Sequence, residues 1–282
     1  TQKALHLQSG QRALICLNVA YIAGTMMLVR GMELGLTMYL VAPSSQPFGE
    51  IPEGLPIDFM AVVPLQLQTM LETKQHSRLN TLEVIIVGGA PVNSTLLTQI
   101  QQLSVPIFST YGMTETVSHI ALRKLNGTEA SESYTLLDSI EADTDDRNCL
   151  RLRGAVTNYE WIQTNDVVVF TDTTHFQIIG RADNIINSGG IKIQLEKVER
   201  AIEQIWNRSE RFFVWWKWDE RLGQKLILVA ENAQIADKES FNKELQTRLN
   251  PYEIPKEIHS VKKFVETATG KVDKRRTFEE NS

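Results

Sequence analysis

The chain has 282 residues, 42% of them hydrophobic and 22% charged, an ordinary balance for a folded globular protein of one large or two smaller domains. A net charge of −5 argues against a general nucleic-acid-binding surface, and the longest apolar stretch, AYIAGTMMLV, is too short to span a bilayer. Cys16 and Cys149 stand far apart, with no metal-ligand spacing and no disulfide framework. With no basic-then-apolar leader at the start, the expectation is a reducing, cytoplasmic setting.

In chain order, RALICL reads as a strand, YIAGTMMLVRGMELG as a helix ending at Gly35, and TMYLVA as a strand. DFMAVVPLQLQTMLET is predicted to be one helix, with Pro64 near its start or at a bend. LEVIIVGG reads as a strand running into glycines, NSTLLTQIQQL as a helix with Asn93 as its N-cap, and PIFSTYG as a strand. This alternation predicts a mostly parallel sheet covered by helices. From about residue 132 to 181 the pattern changes to strands separated by turns: YTLLDSIEA, CLRLRGA, WIQTNDVVVF and HFQIIGR. After GRADNIINSGG come a helix, IQLEKVERAIEQIW, a hairpin, RFFVWWKW-DERLGQ-KLILVAE, a second helix, DKESFNKELQTRL, and a strand, EIHSVKKFV. That order suits a compact α+β module of about 100 residues. The predicted boundary falls near Gly180 to Asn184, giving residues 1–181 as a large domain with a β-rich part at 132–181, and 182–282 as a small α+β domain.

Several short stretches carry candidate chemistry. VIIVGGAPV places Gly88 and Gly89 at the carboxyl end of a parallel strand, the edge where open α/β sheets bind ligands; a tight strand-to-helix turn needs the same glycines. STYGMTET offers the ring of Tyr111, the hydroxyl of Thr114 and the carboxylate of Glu115, a hard ligand suited to Mg²⁺; equally, Thr114 can cap a helix with Glu115 in its first turn. TNDVVVF sets Asp166 before an apolar strand, placed to accept ribose hydroxyls or to close a turn. GRADNIINSGG gathers Arg181, Asp183 and the Gly189–Gly190 pair. Near the end, VETATGKVDKRRT resembles a phosphate-binding loop only superficially. The GxxxxGK[ST] pattern requires Gly where Val265 stands and Ser or Thr where Val272 stands. Lys271, Lys274, Arg275 and Arg276 then read as a solvated basic tail unless another part of the chain uses Lys271.

In order and spacing, GGAPV, STYGMTET, TNDVVVF, GRADNIINSGGIKIQLEKVE and TATGKVDKRR resemble the successive signatures of the adenylate-forming superfamily of acyl-CoA synthetases, luciferases and peptide-synthetase adenylation domains. AYIAGTMMLVRGMELG and MAVVPLQLQTML resemble the corresponding region of o-succinylbenzoate–CoA ligases of menaquinone synthesis. The resemblance implies that Gly88, Gly89 and Ala90 border an adenine on which Tyr111 stacks. It implies that Thr114 meets the α-phosphate, that Glu115 holds Mg²⁺, and that Asp166 and Arg181 take the ribose. It makes Asp183 a hinge between domains, sets Ser188, Gly189 and Gly190 along the pantetheine arm of CoA, and makes Lys271 the catalytic lysine of adenylation. ATP, CoA and a small carboxylic acid are the implied substrates, in an adenylation followed by thioester formation; loading of a carrier protein and nucleotide binding without turnover are the rival outcomes. The superfamily's Ser/Thr/Gly-rich phosphate loop is not found in residues 1–282, so the chain is expected to be a fragment cut within or just after that loop. Asn165 stands where the superfamily commonly has Gly, a mild change because Asn tolerates left-handed backbone.

Overall fold

The computed structural model describes residues 1–206, 210–232, 238–267 and 272–281. A short helix, α1 (Gln2–Leu5), leads into β1 (Arg12–Ile15), α2 (Ile22–Leu34), β2 (Thr37–Leu40), β3 (Phe59–Val62), α3 (Pro64–Glu72), α4 (His76–Leu79), β4 (Val84–Val87), α5 (Ser94–Ile100) and β5 (Ile107–Gly112). β1 pairs in parallel with β2 and β3, β3 with β4, and β4 with β5. All four residues of β3 and of β4 are buried, because both faces of this sheet are covered. Leu14, Met60, Val62, Ile85 and Val87 pack on one face with Leu67 and Met70 of α3 and Leu96 and Ile100 of α5. Ala13, Ile15, Phe59, Ala61, Val84 and Ile86 pack on the other with Leu5 of α1 and Met27 of α2. Asn93 caps α5 as predicted, its side chain accepting from Leu96 N at 2.8 Å.

The stretch predicted as a single helix from Asp58 is a strand followed by a helix. Val63, preceding a proline, is held extended (φ −89°, ψ 158°), and Pro64 opens α3 instead of bending it. Phe59–Val62 was apolar enough for a helix, but its four residues fill the gap between β1 and β4. A strand the sequence reading passed over, β6 (His119–Lys124), runs antiparallel to β5 with an irregularity at Tyr111/Gly112. β7 (Tyr134–Leu136), β8 (Glu141–Thr144), β9 (Cys149–Arg153), β10 (Ile162–Phe170) and β11 (His175–Arg181) follow. The hydrogen-bonded order of this sheet is β2-β1-β3-β4-β5-β6-β7-β11-β10-β9-β8.

The remainder holds β12 (Ile185–Ser188), β13 (Ile191–Gln194), α6 (Leu195–Glu203), β14 (Phe212–Asp219), β15 (Gly223–Glu231), α7 (Lys238–Leu245), β16 (Glu257–Val261) and α8 (Lys274–Glu279). Its sheet runs β13-β12-β15-β14, with β16 parallel to β15. The helix expected from Ile193 begins two residues later, because Ile191–Gln194 pairs with β12. Leu195, Val198 and Ile202 of α6 pack against Val214, Leu226 and Leu228; on the opposite face Phe213, Ile227, Val229 and Phe264 meet Phe278 of α8. The basic segment is therefore no solvated tail over residues 272–281: Thr277 is fully buried and accepts from Val265 N at 2.9 Å, and Lys274 pairs with Glu199 at 2.6 Å.

Two compact units emerge. The first comprises Thr1–Thr144, Arg151–Gln163 and Val169–Gln177; the second comprises Asp145–Leu150, Thr164–Val168 and Ile178–Ser282. No helix among the described residues is long and apolar enough to cross a membrane.

Candidate active site

In the first unit a cavity of about 240 Å³ opens at the carboxyl ends of β3, β4 and β5. Gly88 and Gly89 form one wall, with Thr110 and Thr114 beside them. A Cβ on Gly88 would collide with Oγ1 of Thr110, which donates to the Val87 carbonyl at 3.3 Å, so glycine is required for this close approach. Gly89 has φ +84°, the left-handed region. Opposite, Ile22, Ala23, Met26 and Arg30 of α2 line the cavity, successive turns of one helix face.

Arg30 is the chemically exceptional member of this wall. It is 8% exposed, and no carboxylate among the described residues pairs with it. Its guanidinium lies against Met27 Sδ (3.1 Å) and the Phe59 ring (5.9 Å), with Ser118 Oγ and Thr1 Oγ1 at 3.4 and 3.5 Å. Burial pulls its pKa down to about 10, which leaves it cationic at neutral pH. His119, carried by β6, stands nearby with Nε2 at 2.9 Å from Thr1 Oγ1. Burial first, then the Arg30 charge, lower its pKa to about 3, so the imidazole is neutral. Sequence reasoning missed both residues. The available signal was a single charged side chain in the apolar helical run IAGTMMLVRGM.

The other candidates of this unit divide. Thr114 lines the cavity at the head of a short 3-10 turn, Thr114–Thr116. It does not cap that turn: Thr116 Oγ1 accepts from Met113 N at 3.0 Å and so holds it in place. Glu115 is exposed on the same turn. Among the described residues no group of three metal-ligating side chains exists. Ala90 is exposed beyond the cavity wall. Tyr111 does not line the cavity: its ring packs edge-on against Phe176 (5.5 Å) and Tyr134 (5.9 Å) and is 9% exposed, because alternation along β5 sends it to the face opposite Thr110.

In the second unit Arg181 joins two candidates. It donates to Asp166 Oδ1 at 3.1 Å and, with Nε and Nη2, to both oxygens of Asp183 at 2.9 and 2.7 Å. These bonds hold the Asp183 carboxyl below the usual range. Asp166 N donates to the Thr164 hydroxyl, which in turn donates to the Leu150 carbonyl at 2.7 Å. Ser188 closes β12, and Gly189 and Gly190 (φ +60° and +84°) make the turn into β13. Lys271 lies outside the described residues.

A parallel sheet with a cavity at the carboxyl ends of its strands defines an α/β ligand-binding protein. The AMP-binding enzyme family matches residues 1–140. The acyl-CoA synthetase (AMP-forming)/AMP-acid ligase II-like protein from Dyadobacter fermentans is 48% identical, with the match covering 100% of this chain and 81% of that one at a TM-score of 0.64. The chain belongs to this adenylate-forming family of AMP-binding enzymes. The 2-succinylbenzoate–CoA ligase of Listeria monocytogenes is 24% identical over 94% of this chain and 60% of its own. The o-succinylbenzoate coenzyme A synthetase from Bacillus subtilis, solved in complex with ATP and magnesium ion, shares the fold at a TM-score of 0.80 and 19% identity, over 98% of this chain and 63% of that one. The chain thus spans about 60% of the length of the curated relatives it matches.

Proposed function

We propose that the chain is the acid- and CoA-handling portion of an AMP-forming acid–CoA ligase, and that its acid is 2-succinylbenzoate. The observation that carries the reading is Arg30. A buried guanidinium without a carboxylate is costly in the free protein and becomes favourable when an anion enters. An acid with two carboxylates matches that demand: one is activated and the other pairs with Arg30. The Listeria relative's name supports the choice of acid.

In the first step a carboxylate oxygen attacks the α-phosphorus of ATP, a P–O bond forms, and the bond to pyrophosphate breaks. Gly88 and Gly89 admit the nucleotide, and the Thr114 hydroxyl donates to an α-phosphate oxygen as its charge grows. Glu115 is the residue that would hold Mg²⁺, which supplies charge neutralisation to the phosphates. Lys271 supplies a point charge between carboxylate and phosphate. Asp166 accepts the ribose hydroxyls and Arg181 holds Asp166. In the second step the CoA thiolate attacks the acyl carbonyl, a C–S bond forms, and the C–O bond to AMP breaks. Ser188, Gly189 and Gly190 line the thiol arm, and Asp183 is the pivot between the two steps.

The test is a panel of mono- and dicarboxylic acids given to the complete protein with ATP and CoA. Mass spectrometry should find a free CoA thioester of 2-succinylbenzoate above all others. Product bound to a carrier protein and no free thioester would instead establish an adenylation module.

A further inference from the structure

One wall of the cavity in the first unit has a strained backbone. Of the described non-glycine residues with positive φ, Val117 is the only β-branched one (φ +60°, ψ −47°), a conformation outside the ordinary left-handed region. Across it Ser118 N donates to the Thr116 carbonyl at 2.5 Å. Val117 is therefore the central residue of a γ-turn of the rare, strained hand. The signature STYGMTET assigns roles to Thr114 and Glu115, just before it, and none to Val117.

The surroundings force this turn. Thr116, fully buried, accepts from Met113 N at 3.0 Å and donates to the Ser118 carbonyl at 2.8 Å, so it clamps the chain on both sides of Val117. Gly112 closes β5 against the outgoing strand: a Cβ there would lie 2.6 Å from both the Ser118 oxygen and His119 Cα. Strain of this kind persists only where neighbours over-determine it, and it gathers at ligand sites. A glycine at 117 would adopt the same φ freely, so the side chain is what the strain preserves. Core packing does not repay it. Val117 is 43% exposed and lines the cavity together with Ile22, another exposed aliphatic side chain.

We infer that Val117 is a specificity-determining residue for the acid: its turn holds the isopropyl group as an apolar lip that covers the carbon body of an aryl acid. The inference rests on the ligase reading above and deepens it by naming what lies between the two carboxylates. Arg30 pairs with one carboxylate whatever carbon joins it to the other. The wall formed by Ile22, Met26, Val63, Met113 and Val117 is apolar and favours a bulky ring over a short chain. A ring seated there takes the exposed isopropyl group out of water, which offsets the strain in the complex and not in the free chain.

The experiment compares 2-succinylbenzoate with succinate, two dicarboxylates that offer Arg30 the same group and differ in the ring. The complete protein is assayed with ATP and CoA as wild type, Val117→Gly, Val117→Ala and Val117→Ile. Glycine and alanine should each lower the preference for the aryl acid, as a ratio of kcat/KM, by about tenfold or more, the size of missing methyl groups in an apolar pocket. The change should appear as a higher KM for 2-succinylbenzoate, with the KM for ATP unchanged, and isoleucine should keep the preference. In the ligand-free chain Val117→Gly should raise the melting temperature, because the strain is released, whereas Val117→Ala, still strained, should not. A valine serving the fold alone gives the opposite: a lower melting temperature in Val117→Gly and equal loss with both acids. That result overturns the inference, as does an unchanged preference in both variants or a wild type that does not prefer the aryl acid. If the complete protein adenylates acids with a preference indifferent to residue 117, only this inference falls; if it adenylates no acid, the ligase reading falls and this inference with it.

Discussion

Two arginines in two units show how differently one side chain is used. Arg30 is buried in an apolar helix face with no carboxylate partner among the described residues, whereas Arg181 is half exposed and engaged by two carboxylates, Asp166 and Asp183. The first is a buried charge with no carboxylate beside it among the described residues, a costly arrangement in the free chain. The second is already balanced and fixes the positions of its neighbours. The proposed acid-binding role of Arg30 rests on that lack of compensation, whereas the pairing of Arg181 orders the carboxylates around it.

The sharpest break in this comparison is Arg30→Met. In the complete protein it should raise the KM for the acid by roughly 30-fold or more, since losing one partner of a buried charge pair costs about 2–5 kcal/mol. The same change should raise the melting temperature of the ligand-free chain, because a buried unpaired cation is gone. A lower melting temperature together with an unchanged KM would assign Arg30 to the fold alone. Lys271→Ala should slow adenylation by roughly 10²-fold while sparing thioester formation from a supplied acyl-adenylate, as for loss of one preorganised donor. Equal loss in both half-reactions would remove its catalytic role. On the Arg181 side, Asp183→Pro fixes φ at the proposed pivot, and the two half-reactions should then differ by about tenfold or more in their loss. Parallel loss, with a lowered melting temperature, points to damage of the Arg181 cluster instead.

His119 gives a smaller and directional effect. The fold keeps this imidazole neutral down to about pH 3, against an ordinary 6.5, so between those values the unfolded chain binds the extra proton. Its contribution to stability is complete above pH 6.5 and is lost as pH falls toward 3, with a slope of up to about 1.4 kcal/mol per pH unit. Denaturant titrations across that range should show the slope in wild type and a flatter one in His119→Gln. In Arg30→Met the loss should still begin near pH 6.5 but stop at a higher pH, since the Arg30 charge is the second cause of the depression and its removal lets the folded imidazole take a proton more readily: the pH window narrows from its acid end and the total loss shrinks. The smallest effect belongs to Lys274→Ala, which breaks the pair with Glu199 and should cost about 0.5–1 kcal/mol, read as a slight fall in urea midpoint.

The sequence by itself determined the family, the parallel sheet and the α+β module. These rest on local signals: Asn93 capping its helix, Gly35 ending another, glycine pairs at strand ends, and motifs whose order survives without any contact being known. It did not determine whether Phe59–Val62 was helix or strand. That run is apolar at every position, and only burial against β1 and β4 on either side selects the strand. Nor did it determine the neighbourhood of Arg30 or His119. They are 89 positions apart in the chain, and their joint setting in one cavity depends on β6 pairing with β5 beneath α2. Tyr111 and Lys274 teach the same lesson from the other direction. The motif named the ring but alternation along β5 turned it toward Phe176, and a lysine in a basic run proved to be paired because α8 packs its Phe278 against Phe213 and Val229. Charge and hydrophobicity are properties of a residue, whereas compensation and burial are properties of what surrounds it, and those surroundings are assembled only when distant strands come together.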